Sequence, residues 1–77
     1  MIYIHEPIVS DRVYSRVIAD SENELQEFGE YLGLQPEWAR PEPRPHFELT
    51  GTKLQLALSR DELQYLTLAQ FEGYFNE

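Results

Sequence analysis

The chain has 77 residues, 42% of them hydrophobic and 13% aromatic, so it can build one small hydrophobic core but not separate catalytic and binding domains. Fourteen acidic residues against six basic ones give a formal charge of −8, which argues against direct binding to nucleic acid or to an anionic membrane. The chain has no cysteine, which excludes disulfides, thiolate zinc sites and cysteine nucleophiles.

The cellular compartment is predicted from two features of the sequence. No apolar run approaches the roughly 18 residues that a membrane-spanning helix needs. The N-terminal segment also lacks the basic stretch followed by an apolar stretch that marks a secretory signal. We therefore expect a cytoplasmic protein with no membrane partner.

Two runs rich in Ile, Val and Tyr near the start of the chain predict strands at residues 1–5 and 13–19. The first run ends at Glu6-Pro7, where proline fixes its own φ angle and disfavours a helical conformation in the residue before it, so a loop is expected to begin here. The second run ends at Asp20.

The clearest local signal predicts a helix over residues 22–32. Ser21 and Glu24 have the spacing of a capping box, in which the hydroxyl and the carboxylate each accept a bond from a backbone amide. Gly33 follows as the residue that most easily adopts the left-handed conformation after a helix. The apolar residues between them recur at helical spacing: Leu25, Phe28 and Leu32.

Residues 36–45 contain four prolines, which predicts a structured surface loop with a short turn around Trp38. Residues 46–49 fit either a short strand or the approach to a helix. Residues 53–60 also fit both patterns, but their Lys, Leu, Gln and Ala favour a helix.

The end of the chain predicts a short strand at residues 63–66 and a last helix at 68–75. Thr67 and Gln70 form a second capping box at the start of that helix. The alternation of strands and helices predicts a single α/β domain over residues 1–77, with a small mixed or partly parallel sheet of three to four strands and about three helices.

The residues that could carry chemistry do not form a recognisable catalytic set. His5, Glu6 and His46 match no metal-binding spacing, and we expect two partly exposed histidines at strand ends with no metal site. Ser15 and Ser59 lack the surrounding pattern of a nucleophile, and the chain has no glycine-rich phosphate loop. A non-enzymatic protein without a cofactor is favoured over an enzyme.

The acidic helix provides the main functional hypothesis. Its carboxylates can dock on a basic patch of another protein and steer the encounter, and exposed aromatic side chains can anchor the contact. The predicted partner is a protein with a basic surface, with no direct contact to nucleic acid; the oligomeric state is open, a homodimer included. The predicted binding residues are Asp20, Glu22, Glu24, Glu27, Glu30, Tyr31 and Trp38.

An alternative hypothesis is a small ligand pocket. If the proline loop folds over the strand ends, basic side chains could face one site and bind or hydrolyse a phosphate or nucleotide, with Asp20 or His46 as the acid–base group and Lys53 as a cation. The residues of this alternative pocket are Arg16, Asp20, Arg44, His46, Glu48 and Lys53.

The order of several short motifs covers nearly the whole chain: Ile2 to Glu6, Ser15 to Asp20, Leu32-Gly33-Leu34, Trp38, His46-Phe47-Glu48, Thr52-Lys53 and Tyr65-Leu66-Thr67. This order resembles the domain of unknown function 4031 family of small bacterial and phage proteins. The resemblance implies the cytoplasm of a bacterium or of a phage-infected cell, and it carries no activity over to this chain. The polar positions that it matches are Asp20, His46, Glu48 and Lys53, and Arg16 stands where the family has a histidine.

Overall fold

A five-stranded mixed sheet forms the centre of the computed structural model, which describes residues 1–76. The central strand pairs antiparallel with three others, and the last strand pairs parallel with the first. The strands are β1 (Ile2–His5), β2 (Ile8–Val9), β3 (Val13–Ala19), β4 (Phe47–Thr50) and β5 (Gln64–Leu66), with β3 at the centre. The predicted α/β fold with a mixed sheet is confirmed, and the predicted three to four strands are slightly too few.

The three helices cover both faces of the sheet, because alternate side chains of each strand point to opposite sides. They are α1 (Glu22–Tyr31), α2 (Gly51–Leu58) and α3 (Leu68–Phe75). One face packs on α1 and α2 through a core that includes Ile4, Val17 and Leu25, and the other packs on α3 through Ile18 and Phe71. We call these the α1 face and the α3 face.

The helix termini follow the predicted signals with one exception. Thr67 and Gln70 form both bonds of the capping box at the start of α3. The hydroxyl of Ser21 accepts a hydrogen bond from the backbone N–H of Glu24 at 3.1 Å. The Glu24 carboxylate contacts the N-terminal amine instead, so the second bond of this capping box does not form. Gly33 has a φ angle of +78° after α1, as predicted.

The structure resolves the two ambiguous segments. Residues 46–49 mostly belong to strand β4, which continues to Thr50, and the helix expected at 53–60 is α2, which begins earlier, at Gly51. The proline loop contains a 3-10 turn at Pro36–Trp38. Its Arg40 exchanges two backbone hydrogen bonds with His46, which attaches the loop to the outer edge of β4.

An extra residue interrupts the pairing along β3. Ile4 of β1 lies opposite Val17, and Ile8 of β2 lies opposite Tyr14. The segment from β1 to β2 therefore advances by four residues while β3 advances by three. This mismatch is a β-bulge, and it contains Pro7, which has no N–H to donate. The bulge leaves backbone groups of β3 that need another partner.

Within residues 1–76, no helix has both the length and the apolar character needed to cross a membrane.

Candidate binding surface

Three glutamates of α1 point into solvent: Glu22, Glu27 and Glu30 are all exposed, and we call them the acidic surface. The buried side of the same helix carries Leu25 and Phe28, so amphipathic packing directs the carboxylates outward. No lysine or arginine occurs within α1. No cationic side chain of the helix therefore balances these charges.

Four of the six basic residues bind to other parts of the fold. Arg12 forms an ion pair with Glu48 at 3.1 Å, and Arg60 pairs with Glu62. Arg44 donates to two backbone carbonyl oxygens, and Lys53 donates to the carbonyl oxygen of Leu32. Within residues 1–76, no arginine or lysine forms an ion pair with an α1 carboxylate. The acidic surface is thus displayed rather than neutralised by the chain's own cations.

The other two predicted acids are engaged at the start of α1. The amino group of Met1 lies 3.3 Å from an Asp20 carboxylate oxygen and also contacts Glu24. Asp20 accepts a hydrogen bond from the hydroxyl of Tyr3 at 3.0 Å, which raises the pKa of Tyr3 above its ordinary value. Asp20 and Glu24 are therefore less available to a partner than the acidic surface.

Both predicted aromatic residues are accessible at the other end of α1. Tyr31 is the last residue of the helix and is 68% exposed, and the 3-10 turn that carries Trp38, itself 54% exposed, contacts α1. The guanidinium of Arg60 lies 3.8 Å above the ring of Tyr31 and holds its orientation. A partner that contacts Glu30 would thus meet a positioned aromatic side chain next to it.

The alternative ligand pocket does not form as one site. Lys53 lies on α2, on the α1 face, and its ammonium group caps the C-terminal end of α1. Arg16 and His46 lie on the α3 face, where both rest against Phe75. Because the sheet separates them from Lys53, these residues cannot reach one small ligand together.

Two other members of that set have structural partners. The guanidinium of Arg44 donates to the carbonyl oxygens of Ala19, at 2.6 Å, and Tyr74, at 3.2 Å, and so ties the proline loop to the end of β3 and to α3. Glu48 is paired with Arg12. Asp20 and Arg44 share only an open cleft of about 320 Å³ at the start of α1.

The two histidines are buried, not partly exposed as expected: His5 is 0% and His46 4% accessible. The Nδ1 of His5 donates to the Glu6 carbonyl oxygen at 2.6 Å, and its Nε2 accepts the backbone N–H of Arg16 at 2.9 Å. His5 therefore takes the place of the strand partner that the bulge removes. Burial lowers the pKa of both imidazoles.

This role of His5 was missed because it depends on long-range structure. The alternation of β1 places His5 on the same side as Tyr3, but only the position of α3 makes that side an interior. The contact between Arg60 and Tyr31 was also missed, since the two residues are far apart in sequence. Within residues 1–76, no three His, Asp or Glu side chains lie close enough to hold a metal ion.

No protein-family model, curated protein or solved structure matches this chain. The resemblance to the domain of unknown function 4031 family therefore stays a prediction.

Proposed function

We propose that the chain is a non-enzymatic binding protein that docks its acidic surface on a basic site of a partner protein and occludes that site. Glu22, Glu27 and Glu30 supply the charge, and Tyr31 and Trp38 anchor the contact. The single observation that supports this most is the placement of the chain's own cations, which leaves these three carboxylates unpaired within residues 1–76.

The energetics of α1 support the same proposal. Glu30 lies in the last turn, where the helix dipole disfavours a negative charge, and Glu27 lies one turn earlier on the same side, where like charges repel. Each effect costs a few tenths of a kcal/mol. A sequence selected for stability alone would place a lysine or arginine there, and local costs of this kind are expected where a surface has a function.

The proposed mechanism combines long-range attraction with a small anchored contact. The net charge of −8 speeds the encounter with a cationic surface, and this steering weakens with salt. Tyr31 and Trp38 then bury apolar area next to the charged contacts, as hot-spot residues do. The corresponding role is that of a small inhibitor or adaptor in the cytoplasm of a bacterium or a phage-infected cell.

The test is affinity capture from a bacterial lysate with three forms of the chain. The first is wild type, the second carries Glu22→Gln, Glu27→Gln and Glu30→Gln, and the third carries Glu6→Gln, Asp61→Asn and Glu72→Gln. The second and third forms each lose three negative charges from exposed positions, but only the second form, the α1 variant, loses them from α1.

We expect a protein that is retained by wild type and by the third form, is lost with the α1 variant, and is released as the salt concentration rises. A partner that binds all three forms equally, at any salt concentration, would contradict the proposal. Retention by wild type alone would attribute binding to total charge rather than to the acidic surface, and would also contradict it.

A further inference from the structure

The guanidinium of Arg16 has an unusual environment on the α3 face. Its Cζ atom lies 5.1 Å from the centroid of the Phe75 ring and 5.9 Å from that of Tyr14, and the residue is half-buried. Within residues 1–76, no oxygen accepts a hydrogen bond from this guanidinium. The aromatic rings therefore position a cation whose donors remain unused.

The nearest acid along the sheet is already occupied. Glu48 lies directly opposite Arg16 in the β3–β4 pairing, on the same face. Opposite charges at such positions normally pair. Here the Glu48 carboxylate binds Arg12 at 3.1 Å instead. Arg16 therefore forms no ion pair with the acid that lies opposite it in the sheet.

Arg16 is not the only cation near His46, although the whole chain is acidic. Burial is the main cause that lowers the pKa of the neighbouring His46, and the charges of Arg16 and Arg40 lower it further, against the opposite influence of Glu48. Two cations thus act on this part of the α3 face. An open cleft of about 450 Å³, lined by Ser10, Asp11, Arg12, Tyr14 and Glu48, shares Tyr14 with the surroundings of Arg16 but does not include Arg16 itself.

We propose that Arg16 is the central contact of a binding site for a small oxyanion on the α3 face, with Arg40 as supporting charge and Tyr14 as the wall of the site. A guanidinium presents paired N–H donors that match the oxygens of a carboxylate or a phosphate. Because the rings already restrict its side chain, Arg16 loses little further freedom on binding. This site is independent of the acidic surface, which lies on the other side of the sheet.

The experiment uses the full chain, labelled with ¹⁵N, at pH 7 and low ionic strength. Inorganic phosphate and succinate are titrated separately, with sodium chloride at matched ionic strength as the reference. The signals to follow are the Nε–H of Arg16 and the imidazole of His46. We expect saturable shifts with phosphate, succinate or both, and a rise in the pKa of His46 at saturation, since a bound anion offsets the charge of Arg16.

Three variants separate this site from general electrostatics. Arg16→Gln should weaken binding at least about 10-fold, the loss expected for charge-assisted hydrogen bonds. Glu48→Gln should strengthen it, because it removes the acid opposite Arg16. Arg60→Gln changes the net charge as Arg16→Gln does but lies against Tyr31, and it should leave the affinity unchanged.

The relative affinities for the two probes identify the source of the oxyanion. Tighter binding of phosphate indicates a phosphorylated ligand, and tighter binding of succinate indicates a carboxylate. Shifts no larger than those with chloride, or an affinity that Arg16→Gln and Glu48→Gln both leave unchanged, would overturn the proposal. The Glu48→Gln arm keeps it testable if Arg16→Gln disturbs the fold.

Discussion

On the α1 face three glutamates of α1 point into water, whereas on the α3 face two imidazoles, those of His5 in β1 and of His46 just before β4, are enclosed by aromatic rings. Glu27 and Glu30 have no partner in α1 and contribute no contact to the core. His5 and His46 are buried, and their rings meet Phe71 and Phe75 edge-on at 4.7 and 4.8 Å. The difference teaches that the two buried histidines of the α3 face stabilise the fold, whereas the acidic surface on the α1 face contributes little to its stability.

The substitution with the largest expected effect on stability is His5→Phe, on the α3 face. The substitution removes the acceptor for the Arg16 backbone N–H and the donor to the Glu6 carbonyl oxygen, and both partners are left without a strand neighbour at the bulge. Because a buried polar group without a partner costs about 1–3 kcal/mol, we expect the free energy of unfolding to fall by about 2–4 kcal/mol in urea denaturation.

The matched control for His5→Phe is the α1 variant with three Glu→Gln changes, which we expect to alter the free energy of unfolding by less than about 1 kcal/mol. If both variants lose the same stability, the division of roles between the two faces is wrong.

Acid should destabilise the α3 face through the same histidines. In the unfolded chain each imidazole takes up a proton below its ordinary pKa of 6.5, but in the folded chain burial lowers the pKa of both imidazoles and so favours their neutral form. The unfolded state therefore binds more protons, and the free energy of unfolding falls as the pH falls through 6.5 toward the folded pKa. At pH 5.5 the loss is at most about 1.4 kcal/mol for each histidine.

Urea denaturation at pH 7.5, 6.5 and 5.5 measures this dependence, and the His5→Phe variant should show a weaker one because it retains a single histidine. The charges that act on the two imidazoles come from several elements: Glu6, Arg16, Arg40, Glu48 and Glu72. A free energy of unfolding that stays constant from pH 7.5 to 5.5 would show that these histidines titrate alike in the folded and unfolded chain.

Local signals account for most of the fold that could be predicted. The strand at Val13–Ala19 and the helices at Glu22–Tyr31 and Leu68–Phe75 follow from β-branched runs, caps and helical spacing. The two-residue strand Ile8–Val9 was missed because it lies just after Pro7 and exists only through its pairing with β3. Local patterns do not encode such pairings.

The acidic surface was predictable for the same reason, since the buried stripe of a helix determines which side faces water. The alternative pocket was wrong as a single site because it depended on which face of the sheet each residue joins. Lys53 and Arg16 lie on opposite faces of the sheet, and no spacing in the sequence indicates this. The guanidinium of Arg16 lacks an acidic partner because Glu48 forms its ion pair with Arg12, and the sequence does not indicate this pairing either.

The smallest expected effect separates the local cost of the acidic surface from the total charge. Glu30→Lys places a cation in the last turn of α1 and one turn from Glu27, so we expect the free energy of unfolding to rise by about 0.3–0.5 kcal/mol. Glu22→Lys makes the same change of charge in the first turn, where the helix dipole favours an acid, and should lower it by a similar amount.

Thermal and urea denaturation of these two variants at low salt distinguish an effect of position within the helix from an effect of the net charge. Opposite signs mean that position within the helix dominates, whereas equal increases mean that the net charge of −8 dominates and that Glu30 carries no special cost. Lys53 already binds the Leu32 carbonyl oxygen and limits the gain from a second cation at that end. If Glu30→Lys stabilises the fold and also weakens partner capture, the acid at this position is retained for binding and not for folding.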